Sequence, residues 1–172
     1  VAVGAMLGEV DKDDVVLSSG ARPGDSIVVT KGTAIEGSAL LAREAPEALL
    51  AAGVPQARLD RAREMLFEPG ISVVRDAAIA CDAVDVHAMH DPTEGGLVTG
   101  LRELAAAAGL GLVIDDQRIP VLPECQAFCG ALGLDPMGLI ASGSLLAAVG
   151  PEDTPGLIAA LSAEGIAAVE IG

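Results

Sequence analysis

Aromatic side chains are almost missing from this chain of 172 residues: it has no Trp, no Tyr and two Phe, Phe67 and Phe128. A core must therefore be built from Ala, Val, Leu and Ile. Positive charge is the second shortage. Ten Lys and Arg stand against 25 Asp and Glu, a net charge of −15 with a pI near 4.2. That balance argues against nucleic acid and anionic membranes as partners, because both repel an acidic surface. No basic residue follows Arg118, whereas Glu124, Asp135, Glu152, Asp153, Glu164 and Glu170 do. A phosphorylated substrate would need its cations from a bound metal, a partner domain, or Lys31 and the arginines before it. No apolar run approaches the ~18–20 residues that span a bilayer. The opening VAVGAML lacks a basic n-region and reads as a strand, not a signal peptide. Three cysteines, Cys81, Cys125 and Cys129, are an odd number without a secretory signal, so reduced thiols in the cytoplasm are expected.

What is present excludes disorder: 51% of residues are hydrophobic and mean hydropathy is +0.52. The length supports one domain over residues 1–172 that buries roughly 70% of its unfolded surface. Strands are expected at Val1–Val10, Val15–Ser18, SIVVT after the Pro23-Gly24-Asp25 turn, DVHAM (85–89), the apolar GLVID (111–115), Ser144–Val149 and Ile166–Ile171. Helical spacing appears from about Glu36, from Pro46 to Gly53, over Gln56–Leu66, over Ser72–Ala83 with Val74, Ala77, Ala78 and Cys81 inward, over Pro123–Leu132 and over Thr154–Glu164. This imperfect alternation predicts an α+β layered domain with a mixed β-sheet.

The stretch HDPTEGGL, His90–Leu97, links the DVHAM strand to a helix whose buried face is Leu97, Leu101, Leu104, Ala105 and Ala108, with Gly109 as its C-cap. Pro92 presets the turn and Thr93 is the expected N-cap. Gly95 and Gly96 each forgo about 1 kcal/mol of helix propensity against Ala, which suggests a close approach to the backbone. Two readings fit. The helix start could hold a phosphate or carboxylate on free amides, or the glycines could simply let the helix pack. Glu94 opposes an anion there, and neither standard nucleotide glycine motif is present.

Other candidates are Lys31, Glu36 and Gly37 at a second strand-to-helix junction, and Ser142 and Gly143 before a later strand. Each is also explained as an ordinary loop. His90 and Asp91 are the catalytic candidates, the His as an acid or base near neutral pH, with helix capping the simpler role for Asp91. Cys125 and Cys129 stand one turn apart, and Cys81, His87 and His90 form a loose cluster. Neither group matches a zinc pattern, so no metal site is expected.

Four segments in order, GARPGDSIVVTKGTAIEG, MHDPTEGGLVTGLRELA, DDQRIPV and LGLDPMGLIASGSLLAAV, resemble the C-terminal domain of the AIR synthase superfamily. That superfamily includes aminoimidazole ribonucleotide synthase, HypE, selenophosphate synthetase and thiamine-monophosphate kinase; the likeness is greatest to the HypE-like branch. It implies a cytoplasmic parent that uses ATP and Mg²⁺ to phosphorylate or activate a small substrate. It also implies an N-terminal ATP-binding domain of the same parent and a homodimer, with no cofactor for the isolated domain and no activity of its own. In that scheme Thr93, Gly95, Gly96, Lys31, Glu36, Gly37, Ser142 and Gly143 line the ligand side. The alternative is a non-catalytic small-anion-binding or protein-interaction module. The chain opens in an apparent strand without Met, which agrees with a domain taken from a longer protein. The reactive Cys tail of HypE is not found before Gly172, and Glu94 stands where HypE sequences usually carry Arg.

Overall fold

The computed structural model describes Ala5, Leu7–Lys12 and Asp14–Gly172. Among these residues, four strands, β1 (Ser26–Thr30), β2 (Val86–His90), β3 (Leu146–Val149) and β4 (Ala168–Glu170), form one sheet in the order β2-β3-β1-β4. The helices are α1 (Ile35–Glu44), α2 (Pro46–Ala51), α3 (Gln56–Glu64), α4 (Val74–Ala83), α5 (Gly96–Ala108), α6 (Pro123–Leu132) and α7 (Thr154–Ala163). The layered α+β architecture is the one expected. The pairing inside the sheet is not mixed: all three ladders are antiparallel, and the isolated Thr33–Val121 bridge is parallel.

Strand alternation assigns the two faces. Ile27 and Val29 of β1 point toward Leu97, Leu101 and Leu104 of α5, while Val28 points toward Ala80 of α4 and Leu157 and Leu161 of α7. A third cluster, built by Ile35, Ala42, Leu49, Leu59, Ala62 and Phe128, packs α1, α2, α3 and α6 together. With so few aromatics, many small aliphatics do this work, each fully buried Leu or Ile contributing ~1.5–3 kcal/mol.

Several expected elements differ. Val1–Gly4 and Met6, in the expected first strand, lie outside the described residues, and Ala5 and Leu7–Val10 form no strand. Val15–Leu17 is irregular and Ser18–Gly20 is a 3₁₀ turn. This segment runs beside the outer edge of β2, where the Ser18 hydroxyl donates to the Met89 carbonyl at 3.0 Å. GLVID is no buried strand: Val113 is 90% exposed, and the segment reaches the sheet's far edge where the Asp115 amide donates to the Ile171 carbonyl. Helix α4 begins at Val74 and turns Asp76 and Ala80 inward, leaving Val74 and Cys81 exposed. Pairing of Asp76 with buried polar partners outweighs the apolar periodicity there. Among the described residues, no helix is long and apolar enough to cross a membrane.

Candidate functional site

Antiparallel pairing of β3 with both β1 and β2 makes β1 and β2 run the same way. Register places Val29 and His90 beside Leu146 on either side. The loop after β1, the loop after β2 and the loop before β3 must therefore leave the sheet at one end. Strand-end crevices of this kind are where layered α/β folds place ligands. The sequence singled out all three loops separately; the topology gathers them.

The loop before β3 is wedged between two helix starts. The Glu36 and Gly37 amides of α1 donate to the Ser142 and Ile140 carbonyls at 3.3 and 3.1 Å. The Val98 amide of α5 donates to the Met137 carbonyl at 3.2 Å, and the Ala141 amide returns a bond to the Thr93 carbonyl at 3.1 Å. Gly37 and Gly96 face the same loop. A methyl on Gly37 would overlap Leu139, with the Ile140 oxygen 2.8 Å away, and one on Gly96 would overlap the Met137 carbonyl and stand 2.7 Å from the Gly138 carbonyl carbon. Gly143, at φ +114, packs on Ile35. Thus Glu36, Gly37, Thr93, Gly96, Ser142 and Gly143 are brought together.

Thr93 is not the N-cap. Gly95 occupies that position at φ +79 without a side-chain cap bond, and Gly96 follows at +72, its amide donating to the Thr93 carbonyl at 3.1 Å. Two successive left-handed residues make the sharp entry that only glycine takes without strain. Asp91, Thr93, Glu94 and Gly95 stay exposed. Hydrogen bonds from the Glu94 backbone amide and then from the Thr93 hydroxyl hold the Glu94 carboxyl below the usual carboxylate range.

Lys31 turns elsewhere. Its Nζ lies 3.0 Å from Asp76 Oδ2 and donates to the Ser72 carbonyl at 2.7 Å, with the two side chains 6% and 1% exposed. The Thr30 hydroxyl donates to Asp76 Oδ1 and accepts from the Leu145 amide. The lysine expected to meet a ligand is thus engaged in a buried pair that ties α4 to the end of β1. His90 is engaged by α5, with Nε2 2.9 Å from Glu103, while Asp91 stays exposed.

One polar cluster escaped the sequence reading because its members lie far apart in the chain. His87 Nδ1 is 2.8 Å from Asp25, both side chains buried, and Nε2 is 2.7 Å from the Arg22 guanidinium. A guanidinium only donates, so Nε2 accepts and Nδ1–H donates to Asp25. The group borders a cavity of about 510 Å³ that Cys81 also lines. His90 is not part of it, so the Cys81, His87 and His90 cluster is not assembled. Cys125 and Cys129 lie buried with their sulfurs 3.9 Å apart, packed on Ala34. Burial, reinforced by Cys129, pushes the Cys125 thiol up to about 12.

ATP and magnesium, implied by the resemblance, can be tested against these donors. The Glu36, Gly37, Gly96 and Val98 amides are all engaged, and Lys31 is paired. Thr33 Oγ1, a buried side-chain oxygen without a partner among the described residues, belongs to a fully buried residue. Among the described residues, no three His, Cys, Asp or Glu stand close enough to hold a metal ion. This donor set does not make a self-contained triphosphate–magnesium site.

Residues 22–172 match the family model "AIR synthase related protein, C-terminal domain". The carbamoyl dehydratase HypE of Cupriavidus necator is 35% identical over 158 residues, covering 90% of this chain and 41% of the relative. The crystal structure of E. coli HypE, a hydrogenase maturation protein, superposes with a TM-score of 0.69 at 25% identity, covering 92% of this chain and 46% of that one. A HypE crystallised in complex with ATP gives 0.67 at 25% identity, covering 96% and 46%. This chain spans less than half the length of these relatives. The chain belongs to the AIR synthase related family, in its C-terminal domain, on the HypE-like branch.

Proposed function

We propose that this chain is the C-terminal domain of a longer, cytoplasmic, ATP-dependent enzyme of the AIR synthase type, which phosphorylates or activates a small substrate. The observation that carries this reading is the meeting of three loops at one sheet end, with Asp91, Thr93 and Glu94 left exposed on the loop after β2. The HypE crystallised with ATP, similar over nearly all of this chain, supports the same reading. ATP and magnesium are assigned to the parent as a whole, with an N-terminal domain supplying the cations that this acidic domain lacks. The proposed ligand-side residues are Thr93, Gly95, Glu36 and Ser142, with Gly37, Gly96 and Gly143 shaping their backbone; the parent is proposed to be a homodimer. Exposed carboxylates and a hydroxyl around Thr93 orient and exclude rather than bind phosphate strongly. A non-catalytic small-anion or interaction module would also use exposed side chains, so the test must separate the two.

The test is a nucleotide titration of the longer protein at saturating magnesium, with Thr93→Val and Glu94→Gln as variants. ATP binding and turnover are expected, with at least one variant altering affinity or turnover about tenfold, or ~1.4 kcal/mol, at an unchanged melting temperature. No nucleotide binding by the longer protein, or two variants indistinguishable from wild type, overturns the proposal.

A further inference from the structure

We propose that the loop Asp135–Gly143 is a rigid spacer that couples the start of α1 to the start of α5, so that Gly37 and Leu139 act as positioning residues for the Thr93–Gly95 loop. The proposal rests on the reading of Thr93–Gly95 as ligand-facing only for its functional consequence; the mechanical coupling stands on geometry alone.

Four backbone hydrogen bonds carry it. Two join the loop to α1, from Glu36 and Gly37 to Ser142 and Ile140; one joins it to α5, from Val98 to Met137, and one to the turn before α5, from Ala141 to Thr93. Each helix start has a glycine where the loop passes, and at both Gly37 and Gly96 the volume of a methyl is already filled by loop atoms. Two glycines on separate helices, 59 positions apart in sequence (96 − 37), thus serve one strip of backbone. A methyl on Gly138, inside the strip, would enter open space, the nearest atom to it being the Asp135 carbonyl oxygen at 3.9 Å. The close fit is at the two flanks of the loop and not within it. Ends of helices make good anchors because their first amides have no partner in the helix. Here the loop carbonyls occupy three of them, the Glu36, Gly37 and Val98 amides. A displacement on the α1 side must then move Ile140 and Ser142, and through Ala141 the Thr93 carbonyl. Residues that never touch a ligand would set the position of those that do.

The experiment is residue-resolved amide hydrogen exchange on this 172-residue chain, free of any nucleotide, comparing wild type with Gly37→Ala and Gly138→Ala. In Gly37→Ala, protection of the Ala141 and Val98 amides is expected to fall at least tenfold, while β3 amides keep theirs. Adding Leu139→Ala, which removes the side chain that the new methyl would strike, is expected to restore part of it. Gly138→Ala should leave both amides protected. Loss confined to Glu36 and Gly37, or no rescue by Leu139→Ala, overturns the coupling. Should Gly37→Ala not fold, Leu139→Ala alone is measured: reduced protection at both flanks supports the spacer, and at one flank overturns it. Because no nucleotide is present, failure here is distinct from failure of the proposed function.

Discussion

Gly96 is the residue at which the two readings of the Gly pair separate. As a free-amide site, it would be open; instead it is buried, its amide is bonded to Thr93, and the Met137–Leu139 backbone fills the place of a side chain. Gly96→Val should therefore damage the fold first. Overpacking of roughly 1–3 kcal/mol adds to about 1–2 kcal/mol for a left-handed non-glycine residue. A thermal melt should fall by roughly 5 °C or more, with an unchanged melting temperature refuting the packing role. Lys31 shows the same lesson for charge. The lysine nearest the candidate loops of an acidic chain reads as a ligand contact, yet a neighbouring helix supplies Asp76, and a pair this deeply buried keeps its partners.

Among the elements, β4 is the strand with least covering. It is an edge strand of three residues, all half-buried, joined on one side to β1. Polar contacts of Glu170 tie it down: the Ser26 hydroxyl donates to one oxygen at 2.8 Å and Arg118 to the other at 3.1 Å. These hydrogen bonds, the Ser26 one first, hold the Glu170 carboxyl below its ordinary range. A depressed carboxylate adds stability above its unfolded pKa of about 4.3, and loses it as pH falls through the lower folded value. Glu170→Gln is expected to lower the urea midpoint at pH 7, and the gap to wild type should shrink toward pH 3. A gap that is constant with pH would show that this carboxylate does not contribute through its charge.

At the scale of the whole molecule, charge decides what the domain does alone. With a net charge of −15 and the helix-start amides engaged by the loop before β3, an isolated copy repels polyphosphate and offers it few donors. The 172-residue chain is expected to show no ATP hydrolysis above buffer at saturating magnesium. Turnover that survives rigorous purification would place a complete site within this domain. The same size and charge are compatible with a partner domain that brings cations, and the two HypE chains compared above are each more than twice as long as the part they share with this chain.

How much was legible in the amino-acid sequence follows from range. Helix α5, its Gly109 cap and its Leu97–Leu101–Leu104 face were readable because 3.6-residue periodicity and capping act within a few turns. So was α6, opened by Pro123 and closed by Gly133. The family was legible too, since four ordered motifs survive without any coordinates. Strand edges were not, because an apolar run such as GLVID has the same composition whether a neighbouring strand covers it or water does. The inward turn of Asp76 was hidden for a related reason: its partners, Thr30 and Lys31, lie 46 and 45 positions away. The sequence by itself determined which segments are helical, that the chain is acidic, and which three loops carry unusual glycines. Only tertiary structure decided that those loops share one end of the sheet and that their glycines admit each other's backbone. Pairing of β3 between β1 and β2 is a long-range choice, and no local pattern encodes it.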